Sequence, residues 1–96
     1  MFILKVNYKK PIEEVERFLA AHRQFLDELY SQGIFIASGP QEPRTGGVIL
    51  CNAKNAQEAT AMYQQDPFYT NGIADYELTQ FHVTKHNVDN FTASFE

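Results

Sequence analysis

Two ionisable residues occupy positions where the chain otherwise places apolar side chains. His22 lies in the middle of a helical stripe that is otherwise apolar. The other members of that stripe are Val15, Phe18, Leu19, Phe25, Leu26 and Leu29. A second stripe, made by Ala56, Ala59, Met62 and Tyr63, continues at the next turn to Asp66. Each predicted helix therefore offers one titratable group to the core side of the fold, and we expect the two groups to pair.

A paired imidazole and carboxylate can perform acid–base chemistry. When a carboxylate binds one ring nitrogen, the tautomer is fixed and the other nitrogen is free to take a proton. Such a pair can move a proton at an acidic carbon or help to expel a leaving group, which is typically worth about 10²–10⁴-fold in rate. The same residues could also form a purely structural hydrogen bond, and an Asp before a Pro is a common turn starter.

Four further residues are candidates for binding a substrate near this pair. Ser38 and Gly39 end an apolar strand, so their backbone amides could face a pocket, and the Ser38 hydroxyl could orient a substrate oxygen or hold the histidine. Arg44, in the loop that follows, could pair with a substrate carboxylate. Phe68 could contribute to an aromatic pocket wall. The alternatives are a strand-end turn, a solvated arginine and core packing.

Cofactor and metal chemistry find little support in the sequence. Gly46 and Gly47 precede a predicted strand rather than a helix, so they indicate a hairpin or a close backbone approach and not a nucleotide loop. His82 and His86 are four residues apart, but in a predicted strand this spacing does not make a tight ligand pair. Cys51 is the single cysteine, predicted as an inert core thiol. We therefore predict no cofactor and no metal site.

Length and charge limit the partners and the location of the protein. The 96 residues predict one domain, and a formal net charge of −4 with scattered Lys and Arg argues against a nucleic-acid partner. No apolar run approaches the roughly 20 residues of a membrane span. One cysteine excludes an internal disulfide and fits a reducing compartment. With no leader-like start, these features predict a cytoplasmic protein without membrane contacts.

The elements that must position the candidate residues follow the order β-α-β-β-α-β. Alternating and continuous apolar patterns predict strands near residues 2–8, 34–38, 48–51 and 76–83, and helices near 12–31 and 56–65. This order is the ferredoxin-like split βαβ arrangement, an α+β fold with an antiparallel four-stranded sheet. Right-handed crossovers put both helices on one face of that sheet, so His22 and Asp66 would lie over the same surface.

The strand patterns also predict a second apolar sheet face. The middle strands, at 34–37 and 48–51, are apolar without alternation, whereas a sheet covered on one face should alternate. Phe81 and Val83 add apolar positions on the last strand. Because the chain has no further helices to cover this face, we predict a homodimer with the two sheets packed face to face.

The order of short motifs resembles the YciI-like (YCII domain) family. The residues that carry this resemblance are His22, Ala37-Ser38-Gly39-Pro40, Gly46-Gly47-Val48-Ile49 and Asp66-Pro67-Phe68, and it extends from Met1 to about Phe81. It implies a dimeric α+β barrel, as in muconolactone isomerases, and a pocket that holds the pair His22 and Asp66. One branch of the family catalyses dehydrochlorination of a chlorinated hydroxyhydroquinone. We place the domain at residues 1–84 and a separate C-terminal tail at 85–96.

Taken together, the residues and the resemblance predict a small-molecule enzyme. His22 would act as the acid–base group and Asp66 would orient it, in a proton transfer with elimination or isomerisation of a small ligand. The alternative is a non-catalytic ligand-binding or assembly protein in which the pair is structural.

Overall fold

The structure is a computed structural model that describes residues 1–95, so Glu96 of the predicted tail lies outside the described residues. Its elements in chain order are β1 (Phe2–Tyr8), α1 (Ile12–Arg17), α2 (Leu19–Ser31), β2 (Phe35–Pro40), β3 (Gly46–Cys51), α3 (Ala56–Tyr63), α4 (Pro67–Thr70), β4 (Ala74–Gln80) and α5 (Val88–Ala93).

One antiparallel sheet of four strands organises the molecule. The strand order is β2-β3-β1-β4, which is the order of the ferredoxin-like arrangement. Alternate residues of the central strand β1 point to opposite faces: Phe2, Leu4 and Val6 are buried beneath the helices, and Ile3 and Lys5 are exposed. The predicted α+β fold class is thus confirmed, with the core between the sheet and one helical layer.

The first predicted helix is two helices. The prediction of one continuous helix over residues 12–31 was wrong, because the backbone leaves helical geometry at Phe18 (φ −106°, ψ 3°). The Phe18 amide bonds to the Val15 carbonyl three residues back, the tighter pattern of a 3₁₀ turn. The helix then restarts as α2, with His22 in its first turns. It ends as predicted at Ser31, shortly before Gly33, whose φ is +74°.

Asp66 follows the second predicted helix and does not continue its stripe. Helix α3 begins at the predicted cap, since the Asn55 side chain accepts the Glu58 amide at 2.8 Å, but it ends at Tyr63 rather than continuing the stripe to Asp66. Asp66 has extended backbone angles (φ −63°, ψ 129°), which a residue before a proline favours. It begins the separate short helix α4.

The face of the sheet away from the helices is apolar on one side only. Its β2 and β3 positions include the exposed residues Ile36 and Val48, continued by Ile3 on β1. The strand β4 begins and ends earlier than the predicted 76–83, so Phe81 and Val83 follow the strand instead of extending its apolar face. Polar residues occupy the outward positions of β4, namely Asp75, Glu77 and Thr79. We call the apolar side, formed by Ile3, Ile36, Val48 and Leu50, the outer apolar patch.

Gly46 in β3 allows a close approach to β1, because a Cβ atom there would lie 1.7 Å from the Val6 carbonyl oxygen.

The predicted tail contains the short helix α5, whose Val88 and Phe91 are exposed. Within residues 1–95, no helix has the length and apolarity needed to cross a membrane.

Candidate functional site

The imidazole of His22 and the carboxylate of Asp66 are in direct contact. His22 Nδ1 lies 2.8 Å from Asp66 Oδ1 and 2.9 Å from Oδ2, although the two residues are 44 positions apart in the chain. An ionised carboxylate can only accept hydrogen bonds, so the ring nitrogen carries the proton and donates it. This arrangement leaves Nε2 unprotonated in the neutral ring.

Asp66 is completely buried and accepts three hydrogen bonds. Besides His22 Nδ1–H, its carboxylate accepts the Phe68 amide at 3.0 Å, which caps the N-terminus of α4, and a short hydrogen bond from the Tyr76 hydroxyl. Pro67 occupies the first position of α4, where its missing N–H costs nothing. Because a buried charge is tolerated only when it is well hydrogen-bonded, these three donors stabilise the ionised carboxylate.

Tyr76 is a member of the site that the sequence did not reveal. Its phenol projects from β4 and stacks on Tyr63, with ring centroids 4.5 Å apart. Burial, together with the neighbouring Asp66 carboxylate, raises the pKa of Tyr76 above its ordinary value, so the hydroxyl stays protonated as a donor. One signal in the sequence could have pointed to Tyr76. It is a tyrosine on the inward face of a predicted strand, and a buried phenol needs a hydrogen-bond partner.

The His22 ring is held on its face as well as at its edge. Phe68, in α4, stacks on it with centroids 3.9 Å apart and an interplanar angle of 4°. Because Phe68 follows Asp66 by two residues, the same turn supplies both the acceptor and the stacking partner. His22 lines a cleft, and Nε2 has no hydrogen-bond partner among residues 1–95. It is therefore the ring atom available to a ligand.

The cleft beside His22 has a volume of about 510 Å³, which lies within the range of small-ligand sites. It brings together five of the six predicted site residues, since Ser38, Gly39, Arg44 and Phe68 line it with His22, and Asp66 lies buried behind the imidazole. The Ser38 hydroxyl is bonded to the Tyr30 hydroxyl at 2.6 Å, and within residues 1–95 it makes no hydrogen bond to His22.

Three charged side chains, those of Glu16, Arg23 and Arg44, line the cleft. Arg44 forms an ion pair with Glu16 of α1, at 3.5 Å between Nη1 and Oε1, and both side chains are substantially exposed. Arg23, the residue after His22 in α2, also lines the cleft. Sequence reasoning selected Arg44 but not Glu16 or Arg23, because no local pattern joins the loop before β3 to α1.

The other residues considered for chemistry lie away from this cleft. Cys51 is a free, buried thiol at the end of β3, and burial raises its pKa, which opposes formation of a reactive thiolate. In the part of the chain that the structure describes, no group of three or more His, Cys, Asp or Glu could hold a metal ion.

Comparisons with known proteins agree with this architecture. A solved structure of 5-chloro-2-hydroxyhydroquinone dehydrochlorinase (TftG) from Burkholderia phenoliruptrix AC1100, in complex with 2,5-dihydroxybenzoquinone, superposes with a TM-score of 0.73. The superposition covers 91% of this chain and 99% of the other chain. Because the two sequences are only 21% identical, this likeness shows a shared fold and nothing further. The uncharacterized protein YjpA of Bacillus subtilis (strain 168) is 26% identical over 70 residues, or 73% of this chain and 82% of YjpA.

A family model extends the comparison to almost the whole folded region. The model described as a YCII-related domain matches residues 1–82, which span every element from β1 to β4 and end shortly before α5. Both candidate residues, His22 and Asp66, fall within that match. By this match the chain belongs to the family of YCII-related domains.

Proposed function

We propose that this protein is a small-molecule enzyme in which His22 is the acid–base group and Asp66 is the carboxylate that orients it. The observation that carries the proposal is the hydrogen bonding of the imidazole. Its Nδ1 is engaged by a buried carboxylate, and its Nε2 is left without a partner at a cleft of about 510 Å³. This is the arrangement of a general base whose tautomer is fixed by a second residue.

The chemistry would be proton transfer coupled to the loss of a leaving group or to an isomerisation. Nε2 would take a proton from the ligand, and the Asp66 carboxylate would stabilise the resulting imidazolium. In an elimination, the electrons of the broken C–H or O–H bond form the new double bond, and the leaving group departs with its own bonding pair. Returning the proton to a different ligand atom would give an isomerisation. Neither route changes the overall oxidation state of the ligand, so neither needs an oxidant or a reductant.

The substrate would be small and planar. Phe68 stacks on one face of the imidazole and adds an aromatic ring to the cleft lining, and the cleft volume suits a compound of one ring. Ser38 and Gly39 would contribute polar groups from the strand end, and Arg44 would bind an anionic substituent. The structural neighbour TftG is a dehydrochlorinase that was solved with a planar quinone, which makes dehydrochlorination the first reaction to test.

The test is chloride release from 5-chloro-2-hydroxyhydroquinone by the wild type and by His22→Gln. We expect the substitution to lower the rate by about 10²–10⁴-fold, the usual contribution of a general acid–base group. His82→Gln is the matched control, because His82 is exposed and follows β4, outside the cleft lining. Chloride release by His22→Gln at the wild-type rate would refute the role of His22, and a wild type no faster than buffer would refute dehydrochlorination.

A second candidate is a non-catalytic ligand-binding or assembly protein in which the pair is structural. It is favoured by one observation, that the Asp66 carboxylate also caps α4. In that case His22→Ala should lower the free energy of unfolding by about 1–3 kcal/mol, because a buried acceptor loses its donor. Residues that serve catalysis are often neutral or unfavourable for stability. Urea unfolding of His22→Ala beside wild type therefore separates the two functions.

We also propose that two copies associate through the outer apolar patch. Its members Ile36 and Val48 are 46% and 40% exposed in the single chain, and contiguous apolar surface of this kind is typical of an interface. Polar residues flank it on β4, so the contact would be offset toward β2 and β3 rather than centred on the sheet.

A further inference from the structure

The charge of the cleft differs in sign from that of the protein. The chain has a formal net charge of −4 and only three arginines, yet two of them, Arg23 and Arg44, line the cleft. Among the described lining residues, Glu16 is the one acid, so the lining side chains carry a net charge of +1 while His22 is neutral. The Asp66 carboxylate is not part of this lining, because it is buried behind the imidazole and engaged by three hydrogen-bond donors. An acidic protein that concentrates arginine at its cleft attracts anions there.

Glu16, the one acid among the lining residues, already forms an ion pair with Arg44. Glu16 Oε1 lies 3.5 Å from Arg44 Nη1, with side chains 57% and 40% exposed. An exposed, single-contact pair of this length is weak, typically below about 1 kcal/mol. Arg44 therefore keeps most of its guanidinium fork for a ligand, and a carboxylate that engages the fork with two parallel hydrogen bonds would displace Glu16.

Much of the cleft lining is apolar. Leu19 and Leu26 of α2 and Ile49 of β3 line the cleft beside Phe68. A hydrophobic ring could be buried against these side chains with one edge toward His22 Nε2, and a charged substituent on it could then reach the partly exposed Arg44. The cleft therefore combines apolar and cationic side chains, and this combination favours ligands that are apolar at one end and anionic at the other.

From these observations we infer that the cleft selects planar one-ring acids, with Arg44 as the anion-binding residue and Glu16 as a built-in competitor for it. The inference rests on the proposed function only in assuming that the ring edge meets His22, since anion binding itself needs no turnover. Glu16 limits affinity in the free protein, so removing its charge strengthens binding of acids and leaves neutral analogues unaffected.

The test compares 4-hydroxybenzoate with 4-hydroxybenzamide, which have the same ring and differ in charge. Binding is followed by NMR shifts of the Gly39 and Gly47 amides, which line the cleft. Arg44→Gln should weaken binding of the acid about tenfold or more and leave the amide unchanged. Glu16→Gln should strengthen binding of the acid by about two- to fivefold. Glu14→Gln is the matched control: it removes the same charge from the same helix, but Glu14 pairs with Arg17 and does not line the cleft.

Each outcome decides the inference. The inference is overturned if the wild type binds acid and amide with equal affinity, or if it shows no saturable binding of the acid up to the solubility limit. It is also overturned if Glu14→Gln strengthens binding of the acid as much as Glu16→Gln does. His22→Gln separates this inference from the proposed function, because that variant should keep the preference for the acid while losing chloride release. If the acid preference is absent in a protein whose chloride release depends on His22, only the present inference fails.

Discussion

The substitution Tyr76→Phe tests whether the buried carboxylate behind His22 is ionised and held by its donors. Tyr76 contributes one of the three hydrogen bonds that Asp66 accepts. A hydrogen bond to a charged group is worth about 1.5–3 kcal/mol, so the variant should unfold that much more easily at neutral pH. Tyr63→Phe is the control. Tyr63 stacks on Tyr76, but its hydroxyl makes no hydrogen bond within residues 1–95, and we expect a change of about 0.5 kcal/mol or less.

The pH dependence of this difference gives a sharper signature. Burial beside Asp66 raises the pKa of Tyr76 in the folded protein, whereas the unfolded chain ionises this phenol near its ordinary pKa of 10.0. Above that pH the unfolded state releases a proton that the folded state keeps, so the stability contributed by Tyr76 falls as pH rises. The advantage of wild type over Tyr76→Phe should be constant below about pH 9 and shrink by about 1.4 kcal/mol for each pH unit above about 10.

The assay is urea unfolding of both proteins between pH 8 and pH 11, followed by circular dichroism. Tyrosinate absorbance of the two folded proteins should rise equally over this range, and in urea the wild type should show the larger rise because it has one more tyrosine. A stability difference that stays constant to pH 11, or a variant as stable as wild type at pH 8, would refute the account of Asp66 as a buried, donor-stabilised anion.

Two further predictions concern the strands. Val48→Glu places a charge in the outer apolar patch and should halve the mass measured by light scattering. Thr79→Glu, on the polar β4 side, should leave a dimer. A wild type that is monomeric at low micromolar concentration would contradict both expectations. Gly46→Ala should lower the free energy of unfolding by about 3 kcal/mol, because its Cβ would overlap the Val6 carbonyl of the paired strand. Gly39→Ala, with open space around the added atom, should change stability by less than about 1 kcal/mol in the same urea experiment, and equal effects of the two would contradict the proposed close approach.

Periodicity was sufficient to predict the fold and the meeting of the two ionisable residues. The strand and helix periods gave the β-α-β-β-α-β order, and a single histidine in an apolar stripe identified the face of α2 that meets Asp66. The reason given for Asp66 was incomplete, however. It reaches the imidazole as the cap of α4, and the Asp-Pro sequence that was considered only a turn signal is what places it there.

Other parts of the site depend on tertiary contacts that have no local signature. Nothing in the residues around Phe18 is a known helix breaker, so the restart of α2 was not predictable from composition. The contact of Tyr76 with Asp66, and that of Glu16 with Arg44, join elements whose separation is set only when the sheet and helices pack. The boundaries of β4 were displaced because apolar Phe81 and Val83 extend the pattern beyond the paired residues.

The three bonds to Asp66 make one side chain a junction between α2, α4 and β4. Helix α4 has only four residues, and the same carboxylate caps its N-terminus by accepting the Phe68 backbone amide. A local opening that detached α4 would therefore remove, in a single event, the acceptor for Nδ1 and the ring stacked on the imidazole. The site would then respond to thermal fluctuation as one cooperative unit, with no intermediate in which His22 is oriented but unstacked. Hydrogen exchange at the Phe68 amide would report on the fraction of molecules in which the whole arrangement is assembled.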